Sequence, residues 1–214
     1  FGRLLSEQPL MQNVLADLCL DSEAATATAM RLARAFDEGD HAFRRLATAV
    51  AKFWVCKTTP PLVAEALECL GGNGYVEESV LPRLYRESPV NSVWEGSGNV
   101  NCLDVLRALA REPESREAFV AELERGRGAD RHLDAALSGL GRELDAADEA
   151  GARRLVERLA LALQASLLVR HAPAEVADAF CATRLGGDGG WAYGTLPPGV
   201  DAAAIVERHR PLLG

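Results

Sequence analysis

The stretch PLMQNVLADLCLDSEAATATAMRLARAFD, residues 9–37, decides the fold class. Met11, Val14, Leu15, Leu18, Ala25, Ala29, Leu32 and Phe36 recur mostly at three- and four-residue intervals, the period of an amphipathic helix. Ser6 is placed to cap its start, and Pro9 suits a first helical turn. Asp37-Glu38-Gly39-Asp40 then stops it. The stripe is the expected core face.

Outward from this helix the same period continues. A second helical pattern runs from about His41 to Leu70. Pro60 and Pro61 interrupt it, each removing a backbone donor, so a kink or break is expected there. Gly71-Gly72 supplies the left-handed residue that ends a helix. Residues 73–98 hold Gly, Pro, Asn and aromatics without a sustained period, apart from a short helix near 80–88. Asn99 to Ala110 is helical again. Four further patterns lie near 114–126, 130–147, 150–171 and 174–184, with Pro113 and Pro173 suited to first turns. Gly186 to Gly199 reads as a loop carrying Trp191 and Tyr193, aromatics that either pin the loop to its own bundle or dock on a partner. Asp201 to about Arg210 closes the chain as a short helix. No period-2 alternation or internal repeat is present, and the fold class is all-α.

The 214 residues are 48% hydrophobic and 25% charged, which excludes a disordered chain. A net charge of −8 argues against a broadly basic nucleic-acid binder. No apolar run approaches the ~18 residues of a membrane span. The opening Phe1-Gly2-Arg3 reads as a chain cut from something longer. Cys19, Cys56, Cys69, Cys102 and Cys181 are widely spaced with no CxxC, as for free thiols in a reducing cytoplasm. The four histidines are equally scattered, and no metal site is expected. A soft boundary near 112 divides the chain into halves of −3 and −5.

The chemically informative residues are Glu68-Cys-Leu-Gly-Gly-Asn-Gly-Tyr75, Leu81-Pro-Arg-Leu-Tyr-Arg-Glu87 and Asn91-Ser-Val-Trp-Glu-Gly-Ser-Gly-Asn99. Gly71, Gly72 and Gly74 leave a backbone with little side-chain cover. Such a turn either meets a phosphate through its N–H groups or simply stops a helix. Glu95 stands just before a helix whose cap is Ser97 or Asn99, beside the aromatic wall of Trp94. A carboxylate against an apolar surface can act as a proton acceptor; the other reading is a solvated helix-dipole partner.

The order GGNGY (71–75), LPRLYRE (81–87) and WEGSGN (94–99) resembles the C-terminal helical domain of the acyl-CoA dehydrogenase superfamily. Gln8-Pro-Leu-Met11, Leu15-Ala-Asp-Leu18, Ala49 to Lys57 and Cys102 to Ala108 look most like its AidB-like, alkylation-response branch. The opening Phe1-Gly2 resembles the stretch where that domain begins. Beyond residue 112 the likeness thins to Asp178–Arg184 and Tyr193–Pro197.

The resemblance implies a four-helix up-down bundle over residues 1–111, with a helical extension at 112–214 packed on it. It also implies FAD and the α,β-dehydrogenation of an acyl-CoA thioester. Glu95 matches the base that removes the α-proton, and its N–H would polarise the thioester carbonyl. Trp94 and Gly96 match substrate contacts. Ser97 matches an FAD contact, and Gly71, Gly72 and Gly74 match a loop against the FAD of a neighbouring subunit. A homo-oligomer, dimer or tetramer, is implied, as are an N-terminal helical domain and a β-domain outside this chain. The chain alone is therefore expected to be inactive. Glu68 departs from a usual Gln, and Asn99 from a usual Glu.

The alternative is a domain that binds DNA or serves mainly in oligomerisation. Arg125, Arg127, Arg131, Arg153, Arg154 and Arg158 are the phosphate candidates, with Arg154 and Arg158 one turn apart. Glu157, the acidic 143–149 stretch and the local −5 weigh against DNA.

Overall fold

The computed structural model describes residues 2–212, which are helical and loop, without a strand among them. Two long helices, α1 (Pro9–Asp37) and α2 (His41–Cys69), form a hairpin turned at Gly39, where φ is +71°. Asp40 caps α2, its carboxylate accepting from the Phe43 N–H at 3.2 Å. Ser6 does not cap α1. It lies in a 3₁₀ turn, Leu5–Glu7, and Gln8 occupies the cap position without a side-chain bond.

The buried face of α1 shares Leu18 with the expected stripe, and Leu32 packs on the core, but the rest of the face is shifted. Ala16, Leu20, Ala24, Thr28 and Ala35 face the core, whereas Ala29 and Phe36 are exposed. Beyond Leu20 the buried positions Ala24, Thr28 and Ala35 are small, which lets neighbouring helices approach closely. Of the kink or break expected at Pro60 and Pro61, the break is absent, because α2 runs through both. Just before them, the Thr58 hydroxyl donates to the Trp54 carbonyl at 3.0 Å, and the Thr59 hydroxyl to the Val55 carbonyl at 2.6 Å. Hydroxyls thus bond carbonyls beside those whose usual donors the prolines remove.

The region after α2 holds two short helices, α3 (Gly72–Tyr75) and α4 (Leu81–Glu87), then a 3₁₀ turn, Ser88–Ser92. Next come α5 (Gly98–Arg111) and α6 (Pro113–Glu124). The pattern at 130–147 is two helices, α7 (Arg131–Ser138) and α8 (Leu140–Asp145), divided at Gly139. α9 (Ala152–His171) is the central helix, burying residues on nearly every side and packing on α1, α2, α5, α6, α7 and α10. α10 (Ala174–Phe180) passes into a π-turn, Cys181–Leu185, and α11 (Ala202–Arg208) ends the described fold. Pro173 sits at the cap of α10, one position before its first turn.

One apolar core runs from Ala16 to Ile205 through both halves of the chain. Among the described residues, no helix is long and apolar enough to cross a membrane.

Candidate active site

Glu95 occupies the turn between the 3₁₀ segment and α5. Its φ is +50°, the left-handed region, and Gly96 follows at +106°. Among the described residues Glu95 alone adopts a positive φ without being glycine. The region is costly for a residue with a side chain, so neighbouring structure must hold it.

That hold comes from α2 and α5. The Lys52 ammonium donates to the carbonyls of Asn91 at 2.6 Å, Trp94 at 3.2 Å and Gly96 at 3.4 Å. The Asn101 amide donates to the carbonyls of Gly96 at 2.7 Å and Ser97 at 3.1 Å. Ser97 takes the N-cap position of α5 without a capping bond from its hydroxyl, and Asn99 lies within the helix. Gly98 is buried where a Cβ would meet the Arg153 guanidinium at 3.3 Å and the Phe53 ring at 3.5 Å. Arg153 lies over that ring, 5.6 Å from its centroid, tying α9 to the start of α5.

Trp94 and Glu95 are exposed, and Gly96 and Ser97 half-buried. Glu95 faces a groove of about 450 Å³ lined by Phe36, Arg44, Arg45, Thr48, Lys52 and Asp104, among others. Phe36, turned away from the core, stacks there under the Arg44 guanidinium at 4.5 Å.

The glycine cluster is elsewhere. Gly71 follows the end of α2 with φ +57°, so it does stop the helix. Gly71 and Gly72 are exposed, with nothing within 4 Å of where a Cβ would stand. Gly74 differs: it is buried, and a Cβ there would lie 2.1 Å from the Leu67 carbonyl oxygen. Lys52 and Cys69 are seventeen residues apart on α2, roughly 25 Å along the axis. Within one chain the two motifs therefore mark separate places rather than one pocket.

Between and around them lies much uncovered apolar surface, including Leu70, Tyr75, Val80, Val93, Trp94 and Val100. Exposed aromatic and aliphatic side chains in such number mark a surface made to be covered. Three of the six candidate phosphate-binding arginines are neutralised locally. Arg125 pairs with Glu122, Arg127 with Glu124, and Arg158 with Glu143.

Lys52 and Asn101 were not singled out by sequence reasoning. Lys52 falls inside the Ala49–Lys57 run, but nothing in its local spacing says that it reaches a turn some forty residues later.

The acyl-CoA dehydrogenase C-terminal domain family model matches residues 1–110, and the chain belongs to the acyl-CoA dehydrogenase family through that domain. It is 43% identical to AidB of Escherichia coli K12 over 194 residues, 89% of this chain and 36% of that protein. Acyl-CoA dehydrogenase family member 11 of Caenorhabditis elegans is 35% identical over 58% of this chain, which covers 21% of that protein. The crystal structure of C. elegans ACDH-11 in complex with C11-CoA superposes with a TM-score of 0.75 at 29% identity. That match covers 86% of this chain and 38% of the solved one. The chain thus spans between about a fifth and somewhat over a third of these relatives' lengths.

Proposed function

We propose that this chain is the C-terminal helical domain of an FAD-dependent dehydrogenase acting on an acyl-CoA thioester, with Glu95 as its base. The supporting observation is the Glu95 turn. A carboxylate on a strained, exposed turn, fixed from two helices and flanked by an apolar wall, is built to meet something brought to it. Strain of this kind persists where function uses it.

In this reading Glu95 takes the α-proton on its carboxylate, Trp94 excludes water beside the acyl chain, and Gly96 leaves room for the thioester. The Glu95 N–H would donate to the thioester carbonyl oxygen and acidify the departing proton. A bound flavin would supply the hydride acceptor that such a dehydrogenation requires. Gly71 and Gly72 fit a cofactor contact, since their backbone is bare and a flat ligand could lie directly on it. Gly74 owes its identity to the Leu67 carbonyl. Ser97, with its hydroxyl free of capping, is available to a flavin oxygen or nitrogen.

The roughly 25 Å of α2 between Lys52 and Cys69, beside which the two motifs lie, suits a homo-oligomer in which the glycine turn serves a neighbouring subunit's cofactor. The uncovered apolar surface suits the same assembly, with further domains over the bundle. The neutralised arginines leave DNA as the weaker reading. The reading places the protein in the cytoplasm, where its five free thiols persist.

The test is Glu95→Gln in the full-length flavoprotein. Retained flavin without acyl-CoA-dependent bleaching is the expected result. Full bleaching by the variant moves the base elsewhere.

A further inference from the structure

We infer that Lys52 and Asn101 are positioning residues that set the direction of the Glu95 peptide, a role that rests on Glu95 being the base. An ammonium has three protons, and Lys52 directs bonds to three carbonyls, those of Asn91, Trp94 and Gly96. Asn101 bonds Gly96 again, together with Ser97. The carbonyls on both sides of Glu95 are therefore tethered, one from α2 and the other from α2 and α5 together.

The direction of the Glu95 N–H follows from peptide geometry. The Trp94 carbonyl and the Glu95 N–H belong to one planar unit, and the described chain has no cis peptide. In a trans unit the two groups point oppositely. Lys52 draws the Trp94 carbonyl towards α2, so the Glu95 N–H points away from it. Lys52 thereby aims a donor that it never touches, and the tether holds φ at +50° where a glutamate would otherwise relax.

The experiment uses the full-length flavoprotein with Lys52→Met and Asn101→Leu, and with Lys52→Gln and Asn101→Asp should the first pair fail to fold. Two quantities are read: amide exchange across residues 91–97, and the rate of flavin bleaching against acyl-CoA concentration. Loss of either tether should speed exchange in the turn about tenfold while α2 and α5 exchange normally. The saturating bleaching rate should fall by roughly 10- to 100-fold, with half-saturation moving less than about threefold.

Glu95→Gln should abolish bleaching without altering exchange, which separates tether from base. Unchanged exchange in both tether variants, or faster exchange with an unchanged bleaching rate, overturns the inference. If Glu95→Gln still bleaches, the base assignment fails, and the exchange data alone decide whether the tether exists.

Discussion

The Arg184 guanidinium reaches the Asp17 carboxylate at 2.5 Å, joining the π-turn after α10 to the middle of α1 across 167 residues of sequence. The same guanidinium donates to Asp21 at 3.0 Å. Asp17 is 3% exposed, and its second oxygen accepts the Gly194 N–H at 3.0 Å. The Tyr193 hydroxyl donates to Asp21 at 2.9 Å, and burial followed by Asp21 pushes that phenol up, so it stays a donor. Burial works against the Arg184 charge, but Asp21 and Asp17 overcome it. The two C-terminal motifs, Asp178–Arg184 and Tyr193–Pro197, thus meet on one helix. Tyr193 pins the tail loop, while Trp191 stays fully exposed.

Removing Arg184 strands the Asp17 charge in the interior. Arg184→Leu should cost about 3–5 kcal/mol in urea unfolding, the usual penalty for breaking a buried pair. Tyr193→Phe should cost only about 1 kcal/mol, one hydrogen bond to a carboxylate that keeps another partner. Equal losses in the two variants would mean that the loop and the ion pair are one cooperative unit.

A second buried carboxylate gives the fold a pH dependence. Glu122 on α6 is 4% exposed and accepts from Arg170 at 2.6 Å and Arg31 at 3.0 Å. Burial alone would raise its pKa, yet these two arginines lower it to about 2 from an ordinary 4.5. A depressed folded pKa stabilises the native state above the unfolded value and ceases to do so as pH falls through the folded one. Wild type should therefore exceed Glu122→Gln by up to about 3 kcal/mol at pH 7. That gap should close between pH 4.5 and about 2. A gap of constant size across the window would place the stabilisation outside Glu122 titration.

These two clusters show what the sequence could and could not announce. Helix positions were legible because 3.6-residue periodicity is a local property, and Gly39, Gly71 and Pro113 punctuate the chain where expected. The face of α1 was legible only in part: Leu18 is buried as expected, but close packing also buries the small Ala24, Thr28 and Ala35 while Phe36 turns outward. The helix continues through Pro60 and Pro61, which local propensity disfavours and the packing of α2 against its neighbours overrides. At the site, WEGSGN marked Glu95 through resemblance, whereas its tether came from Lys52, a contact made only by folding. The 130–147 pattern is two helices, because the apolar period alone does not register the division at Gly139.

Gly74 and Gly72 should respond differently to the same substitution. A methyl at Gly74 would stand 2.1 Å from the Leu67 backbone oxygen, so one of the two must move. Gly74→Ala should destabilise the chain by about 1–3 kcal/mol, the cost of overpacking a site that cannot yield. A methyl at Gly72 meets nothing within 4 Å. Gly72→Ala should leave thermal unfolding nearly unchanged and weaken flavin retention in the full-length protein, read by absorbance after gel filtration. A Gly72→Ala protein that keeps its flavin removes that glycine from the cofactor contact.

Glu95 itself should trade stability for function. Its φ of +50° suits glycine and penalises a side chain. Glu95→Gly relieves that strain, offset in part by the greater freedom glycine gives the unfolded chain. The net expectation is a gain of roughly 1 kcal/mol in urea unfolding, since a left-handed side chain costs about 1–2 kcal/mol. The same variant lacks the carboxylate and should not bleach flavin with acyl-CoA. Glu95→Gln keeps the strain, so it should lose bleaching with no gain in stability, which isolates the backbone contribution from the charge. A Glu95→Gly chain less stable than wild type would show that the left-handed Glu95 costs less than the freedom glycine gives the unfolded chain.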